Sequence, residues 1–140
     1  MCLGVLYMYS NREKRIIMFN QSTVVKNFKV DQFDVEVSWA YENDSIRDFY
    51  DETEEDFVEM ERRLGAGIDT HYMAVVRVSY DDKLMGLSSL GSCYALDCSP
   101  EEDINNGIGG YLADMVDEAV DEARDEATAM IDRLKADFLS

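Results

Sequence analysis

Carboxylates dominate the chemistry available to this chain: 30 aspartates and glutamates stand among 140 residues, against 13 lysines and arginines and one histidine. Such groups hold divalent metals, move protons, or present negative charge to a basic partner, and their spacing decides which. Di-iron bundles place Glu-x-x-His pairs on facing helices, and a single histidine cannot supply two of them. Calcium loops need oxygen ligands at alternate positions around a central glycine; neither residues 48–59 nor residues 97–106 have that spacing. No metal and no cofactor is therefore expected.

Glu52 with Glu55, and Glu118 with Asp121, form two acid-x-x-acid pairs of the kind with which all-helical nucleotide pyrophosphohydrolases hold magnesium. They lie far apart along the chain, with strand-like sequence between them, which is wrong for that architecture. Nucleophilic catalysis has no Gly-x-Ser-x-Gly elbow, and its one possible base, His71, precedes an apolar run in the manner of a structural strand-end residue. The glycines at 107, 109 and 110 precede a helix but lack the lysine of a phosphate loop. Asp103 and Asp114 flank them with charge that repels phosphate, so they read as a hinge. Cys93 and Cys98 are not followed by a second ligand pair, and with Cys2 they read as reduced thiols of a cytoplasmic protein. The chain is expected not to be an enzyme.

What remains is charge, and the last thirty residues organise it. At 100° per residue, residues 112–138 bring Leu112, Val116, Ala119, Val120, Ala123, Ala127, Met130, Leu134 and Phe138 to one side of a helix. Asp114, Asp117, Glu118, Asp121, Asp125 and Asp132 gather opposite. Like charges at i,i+4 destabilise a helix by roughly 0.2–0.5 kcal/mol per pair, and ordinary helices mix lysine with glutamate to avoid this. Here only Arg124 interrupts the acids between Asp114 and Glu126. At ~1.5 Å per residue the acids from Asp114 to Asp132 extend over roughly 27 Å, the length of about eight base pairs at ~3.4 Å each.

The whole composition agrees with this emphasis. The net charge of −17 excludes direct binding to nucleic acid or to an anionic membrane, because each phosphate contact needs lysine or arginine. Residues 41–64 and 97–137 carry 23 of the 30 acids. An apolar share of 46% argues for a folded core rather than disorder. The apolar run at 2–9 has neither the preceding positive charge nor the cleavage site of a secretory signal, and no run reaches the length of a membrane span. Met18 reads as a natural start, with residues 1–17 an extension before a single domain at 18–140.

The elements that position the acids follow from periodicity. Phe33, Val35, Val37, Trp39 and Tyr41 alternate with Asp34, Glu36 and Ser38 as in a half-buried strand, preceded by a strand at 24–30 and a turn at Asp31 and Gln32. Residues 72–80 and 83–89 form a hairpin about Asp81 and Asp82, with a short strand at 92–96 after a break at Gly91. Asp44 or Ser45 caps a short helix; Thr53, with Asp56 three residues later, opens a second that turns Phe57, Met60 and Leu64 inward. Ser99, Pro100 and Glu102 open a third. Grouped strands and helices make this α+β: an antiparallel β-sheet packed by a long C-terminal amphipathic helix, with additional short helices.

Residues 90–120, with Leu-Gly-Ser-Cys-Tyr-Ala-Leu-Asp leading into Gly-Gly-Tyr-Leu-Ala-Asp-Met-Val-Asp-Glu-Ala, resemble small acidic proteins encoded by phages and prophages. That resemblance implies a DNA mimic of the anti-restriction or anti-CRISPR type: a non-enzymatic inhibitor binding a host nuclease, methyltransferase or CRISPR effector in the cytoplasm. The partner-binding residues would be Asp44, Asp48, Asp51, Glu52, Glu54, Glu55 and Glu59 together with Asp114, Asp117, Glu118, Asp121, Asp125 and Asp132. Two other readings compete. One is a self-associating accessory protein, possible as a homodimer through the sheet or the apolar helix face; the other is a nucleotide- or small-molecule-binding protein with a pocket near Tyr94 and Tyr111.

Overall fold

Alternating side chains build the sheet. Along β3 (Phe33–Tyr41), Val35, Val37 and Trp39 are buried on one face, and exposed Asp34 lies on the other. The structure is a computed structural model that describes Val5–Leu6 and residues 22–139; Cys2 and the expected start at Met18 lie outside the described residues. β2 (Thr23–Val30), β3, β4 (Thr70–Tyr80) and β5 (Lys83–Ala95) form an antiparallel meander. The two-residue β1 (Val5–Leu6) pairs with Leu90 and Gly91 of β5, giving the order β1-β5-β4-β3-β2. Asp81 and Asp82, at φ 51° and 63°, turn the β4–β5 hairpin in the left-handed region that matches strand twist.

The break expected at Gly91 is absent. β5 runs unbroken to Ala95, because a bulge absorbs the irregularity: Ala74 pairs with Leu90 but Tyr72 with Cys93, and Ser92 takes the extra residue at φ 53°. β4 is buried on both faces. Tyr72, Ala74, Val76 and Val78 fill the main core on one face, while Met73 and Val75 join Leu87 in a second cluster on the other. Each valine, leucine or methionine among them contributes roughly 1.5–3 kcal/mol when removed from water, so the central strand anchors both faces.

The three α-helices among the described residues are α1 (Glu54–Gly65), α2 (Pro100–Asn105) and α3 (Tyr111–Phe138), and the fold is α+β. Their starts follow the sequence signals: the Thr53 hydroxyl accepts from the Asp56 N–H, and the Ser99 hydroxyl from the Glu102 N–H, each at 3.1 Å. Ser45 caps a single 3-10 turn, Ile46–Asp48. α2 is tied to the sheet by Trp39, whose Nε1 donates to Glu101 at 3.0 Å, and by Tyr72, whose hydroxyl donates to Asp103 at 2.7 Å.

α3 crosses the core face, burying Leu112, Met115, Ala119, Val120 and Ala123. It runs antiparallel to β5: Glu118 sits at Ser88, Ala119 and Ala123 at Gly86, and Met130 at Lys83. The expected apolar stripe is right in angle but longer than its support. Met130 lies beside the first residue of β5, and Leu134 and Phe138 beyond it are 53% and 76% exposed. Among the described residues no helix is long and apolar enough to cross a membrane.

Candidate functional site

Gly107, Gly109 and Gly110, all at positive φ, break the chain between α2 and α3 and set the direction in which the long helix leaves. Once its apolar stripe is pressed on β5, helical geometry fixes the rest. Asp114, Asp117, Glu118, Asp121, Asp125 and Asp132 fall within an arc of about 100° on the solvent side, and all six are exposed. Asp114, Asp117, Asp125 and Asp132 make no ion pair among the described residues. Glu118 accepts a 3.3 Å hydrogen bond from the Ser88 hydroxyl. Glu122 and Glu126 stand half-buried on one shoulder of the arc, Glu126 3.6 Å from Arg133.

Arg124, the one base within the acidic stretch, leans out of the arc. Its guanidinium reaches Asp31 in the β2–β3 turn at 2.7 Å and Asp121 only at 3.4 Å. The arc thus keeps most of its charge uncompensated over its length.

The second predicted group lies elsewhere. Cys93 packs in the core under α3, whereas its neighbour Tyr94 packs with Ile46 and Phe57 of the α1 side. Consecutive strand residues face opposite ways, so α1 and α3 sit on opposite faces of the sheet. Asp44, Asp48, Asp51, Glu52, Glu54, Glu55 and Glu59 therefore do not join the α3 arc into one surface. Two of them are also engaged. Arg47 pairs with Glu54 and with Glu61, and Arg62 pairs with Glu59 at 2.7 Å; these hydrogen bonds hold the Glu54 and Glu59 carboxyls below their usual values. The same separation parts Glu52 and Glu55 from Glu118 and Asp121, and among the described residues no three potential ligands converge on a metal position.

The two tyrosines expected near one pocket are not brought together: Tyr94 faces α1, while Tyr111 starts α3 on the other side of the sheet. Tyr94 instead borders a groove of about 270 Å³ with Glu52, Glu59, Arg63 and Leu96.

Beneath that groove is a polar cluster with no clear mark in the sequence. Asp69, 2% exposed, takes Arg63 through both oxygens at 2.8 and 3.0 Å, the Tyr94 hydroxyl at 2.6 Å and the Asp97 N–H at 2.8 Å. Burial alone raises its pKa, but these donors together hold it below the ordinary value; burial and the same Asp69 contact push the Tyr94 phenol up. Nearby, His71 Nε2 lies 2.9 Å from the Ser92 hydroxyl, and burial lowers the imidazole pKa to about 4. Ser92 itself is fully buried: its N–H donates to Glu42, its carbonyl accepts from Tyr50, and Phe49 packs edge-on against the histidine. This pair ties the β5 bulge to the α1 side and offers no open nucleophile.

Compared with protein-family models, with curated proteins and with solved structures, the chain finds no match in any of the three.

Proposed function

We propose that this chain is a non-enzymatic inhibitor of the type phages encode, and that the acidic face of α3 occupies the nucleic-acid groove of a basic host defence protein. A nuclease, a methyltransferase and a CRISPR effector all carry such a groove. The observation that carries the reading is the arc itself: six exposed carboxylates over roughly 27 Å, with their one interposed base drawn aside to Asp31. Lysines and arginines placed to meet phosphates at similar intervals meet aspartates instead, and the low-dielectric walls of a groove strengthen each contact. The reading uses α3 alone, since the α1 acids face the other way.

The test is competition. Purified chain is captured from nuclease-treated bacterial lysate at low salt, and each bound protein is challenged with duplex DNA and with salt. A nucleic-acid-binding protein released by both, and not retained by the triple variant Asp117→Asn, Asp121→Asn, Asp125→Asn, supports mimicry. Retention by that variant sinks it.

A further inference from the structure

Among the described residues, nothing covers the apolar stripe on the last turns of α3, which leave the sheet. Ile131, Leu134, Phe138 and Leu139 are 51%, 53%, 76% and 79% exposed. They continue the line of Ala123, Ala127 and Met130 that packs on β5, and from Met130 onward the helix projects roughly 13 Å past the hairpin ends. Together they leave on the order of 400–500 Å² of apolar surface on one protruding rod, the upper range for a patch on a monomer.

Charge along the same helix changes at the same place. From Asp114 to Glu126 it holds seven acids and one base; from Ile131 to Leu139 it holds Asp132 and Asp137 against Arg133 and Lys135. The tip is neutral where the shaft is strongly negative. A second copy of this chain is the partner that fits both facts, because its own tip offers the same apolar stripe and two bases for two acids. Parallel pairing, or antiparallel pairing along the full helix, stacks acidic shaft on acidic shaft; overlap of the tips alone, antiparallel about a twofold axis, does not.

We propose that two copies of this chain dock tip to tip through Ile131, Leu134 and Phe138, the balanced charge of each tip leaving no net repulsion between them. Two such patches bury about 800–1,000 Å² in total, at the small end of specific interfaces, so the dimer is weak, with Kd on the order of 100 µM. The two acidic arcs then point outward from a shared centre. Mimicry by one arc does not require this dimer, and the dimer does not require mimicry.

Sedimentation equilibrium of the full chain over roughly 5–500 µM reads the association directly. A monomer–dimer equilibrium is expected that persists at high salt, since its core is apolar. The double variant Leu134→Glu, Phe138→Glu raises Kd at least about tenfold with its circular dichroism unchanged, because those side chains stand outside the core cluster under α3. Charge exchange is the second arm. Arg133→Glu with Lys135→Glu, and separately Asp132→Lys with Asp137→Lys, each lose self-association, and an equimolar mixture of the two regains it more tightly than the parent. A monomer across the whole range, a dimer indifferent to Leu134 and Phe138, or a silent mixture overturns the proposal.

Discussion

Gly86 of β5 lies against the Ala119 carbonyl of α3 so closely that a Cβ at position 86 would fall on that oxygen and come within 3.0 Å of the Ala123 N–H nitrogen. All of the obstructing atoms are backbone, which a rotamer change cannot move. The contact brings the acidic helix down on the sheet, and a one-methyl change there lifts it. Gly86→Ala is expected to cost about 2–3 kcal/mol by urea denaturation, as overpacking does in a tight core. Gly65→Ala, with open space around it at the end of α1, is the control and is expected to be neutral or slightly stabilising. Equal effects from both would show that the close approach carries no energy.

Charge on the arc is expected to oppose stability. Asp117 stands one turn from Asp121, and Asp121 one turn from Asp125, so each exposed pair repels. Sodium chloride should raise the melting temperature as it screens them, and Asp117→Lys should raise it by a few degrees at low salt while abolishing partner binding. A variant more stable yet inactive marks charge kept for function. If Asp117→Lys lowers the melting temperature, the arc is relieved by its surroundings in some other way.

His71 provides a pH prediction with a definite sign. Burial lowers its pKa from 6.5 to about 4, so the folded chain resists the proton that the unfolded chain accepts. The stabilisation is fully present above pH ~6.5 and declines as pH falls toward 4, a loss of about 2 kcal/mol between pH 7 and pH 5 by linkage. Glu42, beside it and raised by burial, acts with the opposite sign as pH falls, and the Asp44 charge favours the protonated imidazole. The histidine is the only one in the chain, so its ring resonance follows the titration without ambiguity. A midpoint at 6 or above would contradict the buried Ser92 contact.

Local signals in the sequence reached the elements but not their placement. The alternation from Phe33 to Trp39, the Thr53 and Ser99 caps and the aspartate turns each depend on neighbours a few residues away, and each appears where the pattern put it. Which face α1 covers depends on Tyr94 pointing away from Cys93 in a strand whose bulge at Ser92 only the β4 pairing reveals. The α3 arc was legible because one helix carries all of it. The α1 acids were equally visible, yet nothing in their spacing told that they lie on the other side of the sheet. Asp69 was invisible for a plainer reason: one acid among thirty has no mark of burial until Arg63 and Tyr94 close around it.

Asp69 is expected to be the costliest acid to remove, although it takes no part in the proposed interface. Its carboxylate closes α1 onto β5 by accepting from Arg63, Tyr94 and Asp97 at once. Truncation strands a buried phenol and the guanidinium of Arg63, and removing one partner of such a network is more costly than removing a solvated acid. Asp69→Ala should therefore lower the urea midpoint sharply, while Asp114→Ala, an exposed acid in the first turn of α3, should change it little. Binding should follow the reverse order: intact in whatever fraction of Asp69→Ala remains folded, weakened in Asp114→Ala. Fluorescence of Trp39, the single tryptophan, follows the unfolding in both. If Asp69→Ala matches the parent midpoint, the cluster beneath α1 is not what holds that helix to the sheet.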